Sequence, residues 1–154
     1  MAERRLLNYT TTVPTSRTVA QMQEELARHG ASAVVVQYAD GRPTGLSFQI
    51  AGPHGLRAFT LPVDVVPVQK ILDRQWSAGQ VKRAHATPEH AERVAWRVAK
   101  DWLEVQLAIV QTAMVTLEQV MLPFMVVDPA GTTLYQRYVD EDLKALQAGS
   151  RDCR

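Results

Sequence analysis

Two interleaved rows of apolar residues run through the middle of the chain. Ala91, Val94, Val98, Trp102, Val105 and Ile109 follow the three-and-four spacing of one helix face, and Trp96, Leu103, Leu107, Val110 and Met114 mark a second. Two rows on one helix predict burial on most sides, so the stretch from Glu89 to Val115 is expected to be a central helix. Thr87 supplies an N-cap, Pro88 suits the first helical position and Glu89 favours the positive end of the dipole. Arg93, Arg97, Lys100 and Glu104 form its polar stripe, with Glu89–Arg93, Arg97–Asp101 and Lys100–Glu104 spaced for local ion pairs.

Upstream, the period changes from helical to alternating. Leu6 to Val13 is rich in strand formers and stops at Pro14. Thr18 and Gln21 have the spacing of a capping box ahead of a helix whose apolar face is Val19, Met22 and Leu26, stopped by Gly30. Ala33 to Tyr38 is a β-branched strand, and Asp40-Gly41 is a turn signal. Leu46, Phe48 and Ile50 alternate with polar or small residues, and beyond the turn Gly52 to Gly55 Phe59 and Leu61 flank Thr60. The first 62 residues therefore read β-α-β-β-β. The last three strands make an antiparallel meander with one buried and one wet face.

Asp64 can cap a following helix that faces Val68, Ile71, Leu72 and Trp76 inward, and residues 77–87 form a loop. After the long helix, Thr116 and Gln119 repeat the capping box, and Val115 with Val120 can staple it. Phe124 to Val127 reads as a short strand, Asp128 to Gly131 as a turn, and Leu134 to Gln147 as a last helix with Leu134, Tyr138, Leu143 and Leu146 inward. The fold class is α+β: a β-α-β-β-β antiparallel sheet layer, then a helical half built on one long central helix. The boundaries are 1–76 for the sheet region, 77–87 for the loop, 88–149 for the helical region and 150–154 for a disordered tail, all within one compact domain.

Composition narrows the function classes. At 154 residues with 46% hydrophobic and 21% charged residues, the chain is an ordinary globular domain. A net charge of +1 advertises neither nucleic acid nor membrane through a global field. The single cysteine, Cys153, excludes a disulfide framework and points to a reducing, cytoplasmic compartment. The apolar stretch from Val105 to Val127 carries Gln106, Gln111, Glu118 and Gln119 and is broken by Pro123, so it reads as buried protein or as an interface between copies, not as a membrane span.

Motifs for chemistry are sparse. There is no Cys pair or H-E-x-x-H for a metal, no G-x-S-x-G and no phosphate-binding glycine loop. His85-Ala86-Thr87 matches one copy of the H-x-T motif that two-histidine phosphoesterases need twice. Asp101 and Glu104 each have a cation within a turn, and Asp140 to Asp142 reads as a solvated helix face. No catalytic residue, metal or cofactor is expected. Nucleic acid is the favoured partner, bound electrostatically through Lys82, Arg83, Arg93, Arg97, Lys100 and Arg57. The polar sheet face lacks stacking aromatics, and Trp76, Trp96 and Trp102 read as core residues. The alternative is a protein-binding module that inhibits or adapts a host protein, and a third reading is an enzyme with a site assembled from scattered residues.

Tyr9 to Pro14 (YTTTVP), Phe59 to Pro62 (FTLP), Ala91 to Val110, Leu122 to Phe124 (LPF) and Leu134 to Gln136 (LYQ) resemble an uncharacterised family of small phage and prophage proteins. The likeness spans most of residues 9–136. Its motifs are packing residues, so no catalytic role carries over. The resemblance implies an accessory protein acting in the host cytoplasm on nucleic acid or on a host or defence component.

Overall fold

The computed structural model describes residues 3–149; the expected disordered tail at 150–154, with Cys153, lies outside them. Helix α1 (Thr15–Arg28) leads into strands β1 (Ala31–Ala39), β2 (Arg42–Gly52) and β3 (Gly55–Thr60). Helix α2 (Val65–Ser77), a 3-10 turn at Arg83–His85, the long helix α3 (Pro88–Gln111), short α4 (Leu117–Met121), a second 3-10 turn at Leu122–Phe124 and α5 (Leu134–Gly149) follow. The fold is α+β, with a three-stranded antiparallel sheet in the order β1-β2-β3.

Local chemistry accounts for most boundaries. Asp40 and Gly41 adopt φ of 51° and 75°, the left-handed pair that a two-residue hairpin turn needs. Asp64 accepts from the Val66 backbone N–H and caps α2, and Thr87 accepts from that of His90 at the start of α3. The capping box of α4 is complete: Thr116 and Gln119 each bond the other's backbone N–H. Helix α3 ends at Gln111 rather than near Val115, because Thr112 turns its hydroxyl back onto the Ile109 carbonyl and Ala113 takes a φ of 61°.

Pleating puts Val34, Val36, Leu46, Phe48 and Phe59 on one side of the sheet, with Phe48 opposite both Val34 and Phe59. The Phe48 and Phe59 rings stack at 5.3 Å. This face packs on Val19, Met22 and Leu26 of α1 and on Trp96, Ala99, Leu103 and Leu107 of α3. The opposite row of α3, Ala91 and Val94, buries against Leu72 of α2, with Leu6, Tyr9, Val68 and Val98 at its edge. Helix α3 is thus the central helix, but its two apolar rows do not divide cleanly: Trp102 of the first row joins the sheet-side cluster, and Val105 and Met114, expected to be covered, are 65% and 71% exposed.

Five local expectations are overturned. Residues 6–13 form no strand: Asn8 sits at φ 63° and donates to Asp101 at 2.7 Å, which turns the segment onto the helices instead of the sheet. Helix α1 begins at Thr15, and Thr18, buried within it, caps nothing. In α2 the inward residue is Gln75, not Trp76: the Gln75 amide donates to the Arg4 carbonyl at 3.0 Å and accepts from the Leu6 N–H at 3.4 Å. Finally, Tyr138, Leu143 and Leu146 of α5 face outward, because α5 meets the body mainly at the Leu122–Phe124 turn. The expected strand at Phe124 to Val127 is reduced to isolated bridges, Phe59 with Met125 and Val126 with Thr133.

Candidate functional site

The six cations singled out from the sequence divide into three groups. Arg93, Arg97 and Lys100 lie on α3 but are engaged within the protein. Arg97 Nη1 donates to Gln21 Oε1 of α1 at 2.7 Å. Lys100, whose side chain is only 18% exposed, donates to Glu104 at 2.6 Å and holds the Glu104 carboxyl below the usual carboxylate range. Arg93 donates to His90 Nδ1 at 3.3 Å. Of this stripe Arg97 ties α3 to α1, Lys100 pairs along α3 itself, and Arg93 meets His90 while its Nε is buried without a partner.

His90 is buried, and its partners define its tautomer. A carbonyl only accepts and a guanidinium only donates, so Nε2 carries the proton toward the Tyr9 carbonyl while Nδ1 receives Arg93. His85 lies beside it at 5.0 Å between ring centroids and meets the Tyr9 ring edge-on at 5.5 Å. Burial, then the neighbouring His90 and Lys82, push the His85 pKa down. These groups hold the N-terminal segment against the start of α3.

Arg57 stands apart on β3, beside the hairpin turn that closes over α4. It lines a cleft of about 240 Å³ with Ile50, Phe59, His54 and Glu118. His54 Nε2 and Glu118 Oε2 are 4.0 Å apart, and Glu118 Oε1 is buried without a partner. The one hydroxyl in the lining, that of Thr116, accepts the cap bond from the Gln119 N–H. The cleft therefore presents no activated nucleophile, and its volume falls below the range of about 300–1,000 Å³ in which small-molecule sites are usually found.

Lys82 and Arg83 remain. Both are exposed, and among the described residues neither pairs with a carboxylate. The Arg83 guanidinium lies 5.8 Å from the ring centroid of Trp76, which is 44% exposed. The N-terminal segment runs over the same corner. Glu3 pairs with Arg74, with Nε to Oε2 at 2.9 Å, and its carboxyl is held below its usual range by that bond. The Glu3 carbonyl accepts from Gln80 and the Arg4 carbonyl from Gln75. Arg5 stacks 5.7 Å above Tyr9 and donates to its hydroxyl at 2.9 Å. Glu3 is thus taken up by Arg74, while Asp73, three positions before Trp76 on α2, accepts from the neutral Gln69 amide rather than from a cation. On this basic corner Arg83 lies against the exposed indole, Lys82 adjoins it in the chain, and Arg4 and Arg5 belong to the segment that crosses Gln75.

Sequence reasoning reached Lys82 and Arg83 but missed Arg4, Arg5 and the exposure of Trp76. Gln75 beside the tryptophan does not settle it, since helix neighbours can both be buried, as Ala95 and Trp96 are; the Arg4 carbonyl and Leu6 N–H that satisfy the Gln75 amide do. Among the described residues, no group of three or more His, Cys, Asp or Glu side chains is placed to hold a metal, and no helix is long and apolar enough to cross a membrane. In comparisons with known proteins, the chain matches no family model, no curated sequence and no solved structure.

Proposed function

We propose that this protein is a non-enzymatic accessory module that binds single-stranded nucleic acid at the Trp76 corner, acting in the host cytoplasm as a protein of the phage type its sequence resembles. The observation that carries the reading is the exposed Trp76 ring with the Arg83 guanidinium against it, Arg83 and its chain neighbour Lys82 meeting no carboxylate among the described residues. Aromatic stacking of bases beside a positively charged track is the general solution for single strands, because every base has a π-face and every nucleotide a phosphate. Arg4 and Arg5 extend the track along the N-terminal segment.

Four phosphate contacts predict a salt slope of about −2.8 for a single strand, or about a 50-fold loss of affinity between 50 and 200 mM salt. Fluorescence anisotropy of labelled single-stranded and duplex oligonucleotides at both salt concentrations tests this. Lys82→Ala with Arg83→Ala should flatten the slope by about 1.4. Trp76→Ala should weaken binding by about 1–3 kcal/mol at any salt. Absence of binding at 50 mM salt, or binding indifferent to these three residues, overturns the proposal.

A further inference from the structure

Helix α5 is amphipathic, yet the body of the protein leaves its apolar face uncovered. At about 100° per residue, Leu134, Tyr135, Tyr138, Val139, Leu143 and Leu146 fall on one half of its circumference, while Arg137, Asp140, Glu141 and Lys144 fall on the other. Its first turn is fixed to the body: the Leu134 N–H donates to the Met125 carbonyl at 2.8 Å, and Arg137 pairs with Asp128 at 3.3 Å. Tyr135 within that turn is 60% exposed, Tyr138, Leu143 and Leu146 beyond it are 64%, 53% and 66% exposed, and Leu122 at the foot of the helix is 43% exposed. Leu122, Pro123, Leu134, Tyr135 and Tyr138 line a shallow, almost wholly apolar groove.

We propose that this face is the interface of an antiparallel homodimer. The expectation of self-association thus moves from residues 105–127 to α5, a surface separate from the basic corner. The five exposed side chains present about 450 Å² of apolar surface per copy. A two-fold contact buries that area twice and, with the atoms around it, reaches about the 1,000 Å² at which specific interfaces begin.

The face is also complementary to itself in one orientation. A two-fold axis crossing between Asp140 and Glu141 sets Tyr135 against Leu146 of the second copy, about 20° apart on the wheel, so a ring meets an aliphatic side chain at each end of the contact, with Tyr138 and Leu143 on its two flanks. The same axis brings Asp142, the one charge within the apolar half, beside Val139 of the second copy, a desolvation cost that the apolar contact must exceed. A parallel pairing brings the two Asp142 carboxylates together, which like-charge repulsion opposes, and aligns the two helix dipoles unfavourably. An isologous contact of this kind closes at two copies and leaves no free edge.

Multi-angle light scattering from about 1 to 100 µM should show wild-type protein moving to twice the 17.2 kDa chain mass. Tyr135→Lys and Leu146→Glu change exposed positions, so each variant should keep its circular dichroism spectrum and urea midpoint, while its dimer weakens by about 30-fold or more. Mixing the two variants should restore the dimer, because the antiparallel contact places one substituted position against the other. A wild-type monomer throughout this range overturns the proposal, as does a dimer that neither substitution weakens. Loss without restoration on mixing overturns the antiparallel arrangement. None of these readouts depends on whether the protein binds nucleic acid.

Discussion

Replacing Trp96 with phenylalanine should leave stability nearly unchanged, although Trp96 is the largest side chain in the core and fully buried. Its indole Nε1–H is buried with no acceptor. An unsatisfied buried donor of this kind costs about 1–3 kcal/mol, because its bond to water in the unfolded chain is not replaced. Phenylalanine removes that cost. Against it stand a residual cavity of about 40 Å³, worth about 1 kcal/mol at 24 cal/mol per Å³, and about 1 kcal/mol of lost apolar transfer. The two sides balance to within about 1 kcal/mol. Trp96→Ala keeps the gain but empties the whole site, and should cost about 3–5 kcal/mol, as deep aromatic truncations do. Urea denaturation followed by far-ultraviolet circular dichroism measures both without relying on the indole as a probe, with Leu103→Ala as a control expected to cost about 2–5 kcal/mol. A loss above about 2.5 kcal/mol for Trp96→Phe, at unchanged denaturant slope, refutes the reasoning: the indole N–H then has a partner in solution.

Arg97→Ala should lower stability by about 1–2 kcal/mol through its lost bond to Gln21, with a matching coupling in the double variant with Gln21→Ala, and should leave the salt slope of oligonucleotide binding untouched; an altered slope with unaltered stability returns the α3 stripe to the binding surface. Acidification should destabilise the protein in two stages. His85 has a folded-state pKa below the ordinary 6.5, so its contribution is present above that value and is lost as pH falls below it through the depressed one, a stage that His85→Gln removes in pH-dependent urea titrations. The second stage belongs to Glu3, Glu104 and Asp128, held low by Arg74, Lys100 and the bonds of Thr132, and opens only below about pH 4.5. Thr87→Ala should cost about 1 kcal/mol by uncapping α3, measured as a lower urea midpoint, while Thr18→Ala costs nothing through capping, since Thr18 lies within α1.

Much of this architecture is written in short-range patterns. The period-two alternation of Leu46, Phe48 and Ile50 and of Phe59 and Leu61, the Asp40-Gly41 turn, and the caps at Asp64, Thr87 and Thr116 were all legible, because each depends on residues a few positions apart. The double apolar row of α3 also announced a central helix before any partner was known. These signals determine the α+β class and the order of its elements, apart from the two expected strands at 6–13 and 124–127.

Tertiary structure alone decided the rest, and the cases share a cause. Leu6 to Val13 has strand composition, but Asn8 finds Asp101, far along the chain, and the segment crosses helices instead of joining the sheet. Gln75 displaces Trp76 from the interior because two backbone groups of that same segment satisfy its amide. Arg97 leaves the expected pairing with Asp101 for Gln21 on α1. Tyr138, Leu143 and Leu146 have the period of a buried face, yet period reports only that a face is apolar, not what covers it. A sequence states what each residue prefers locally; which distant group satisfies a polar side chain, and which apolar face is left over, is settled only when all the elements compete for the same core.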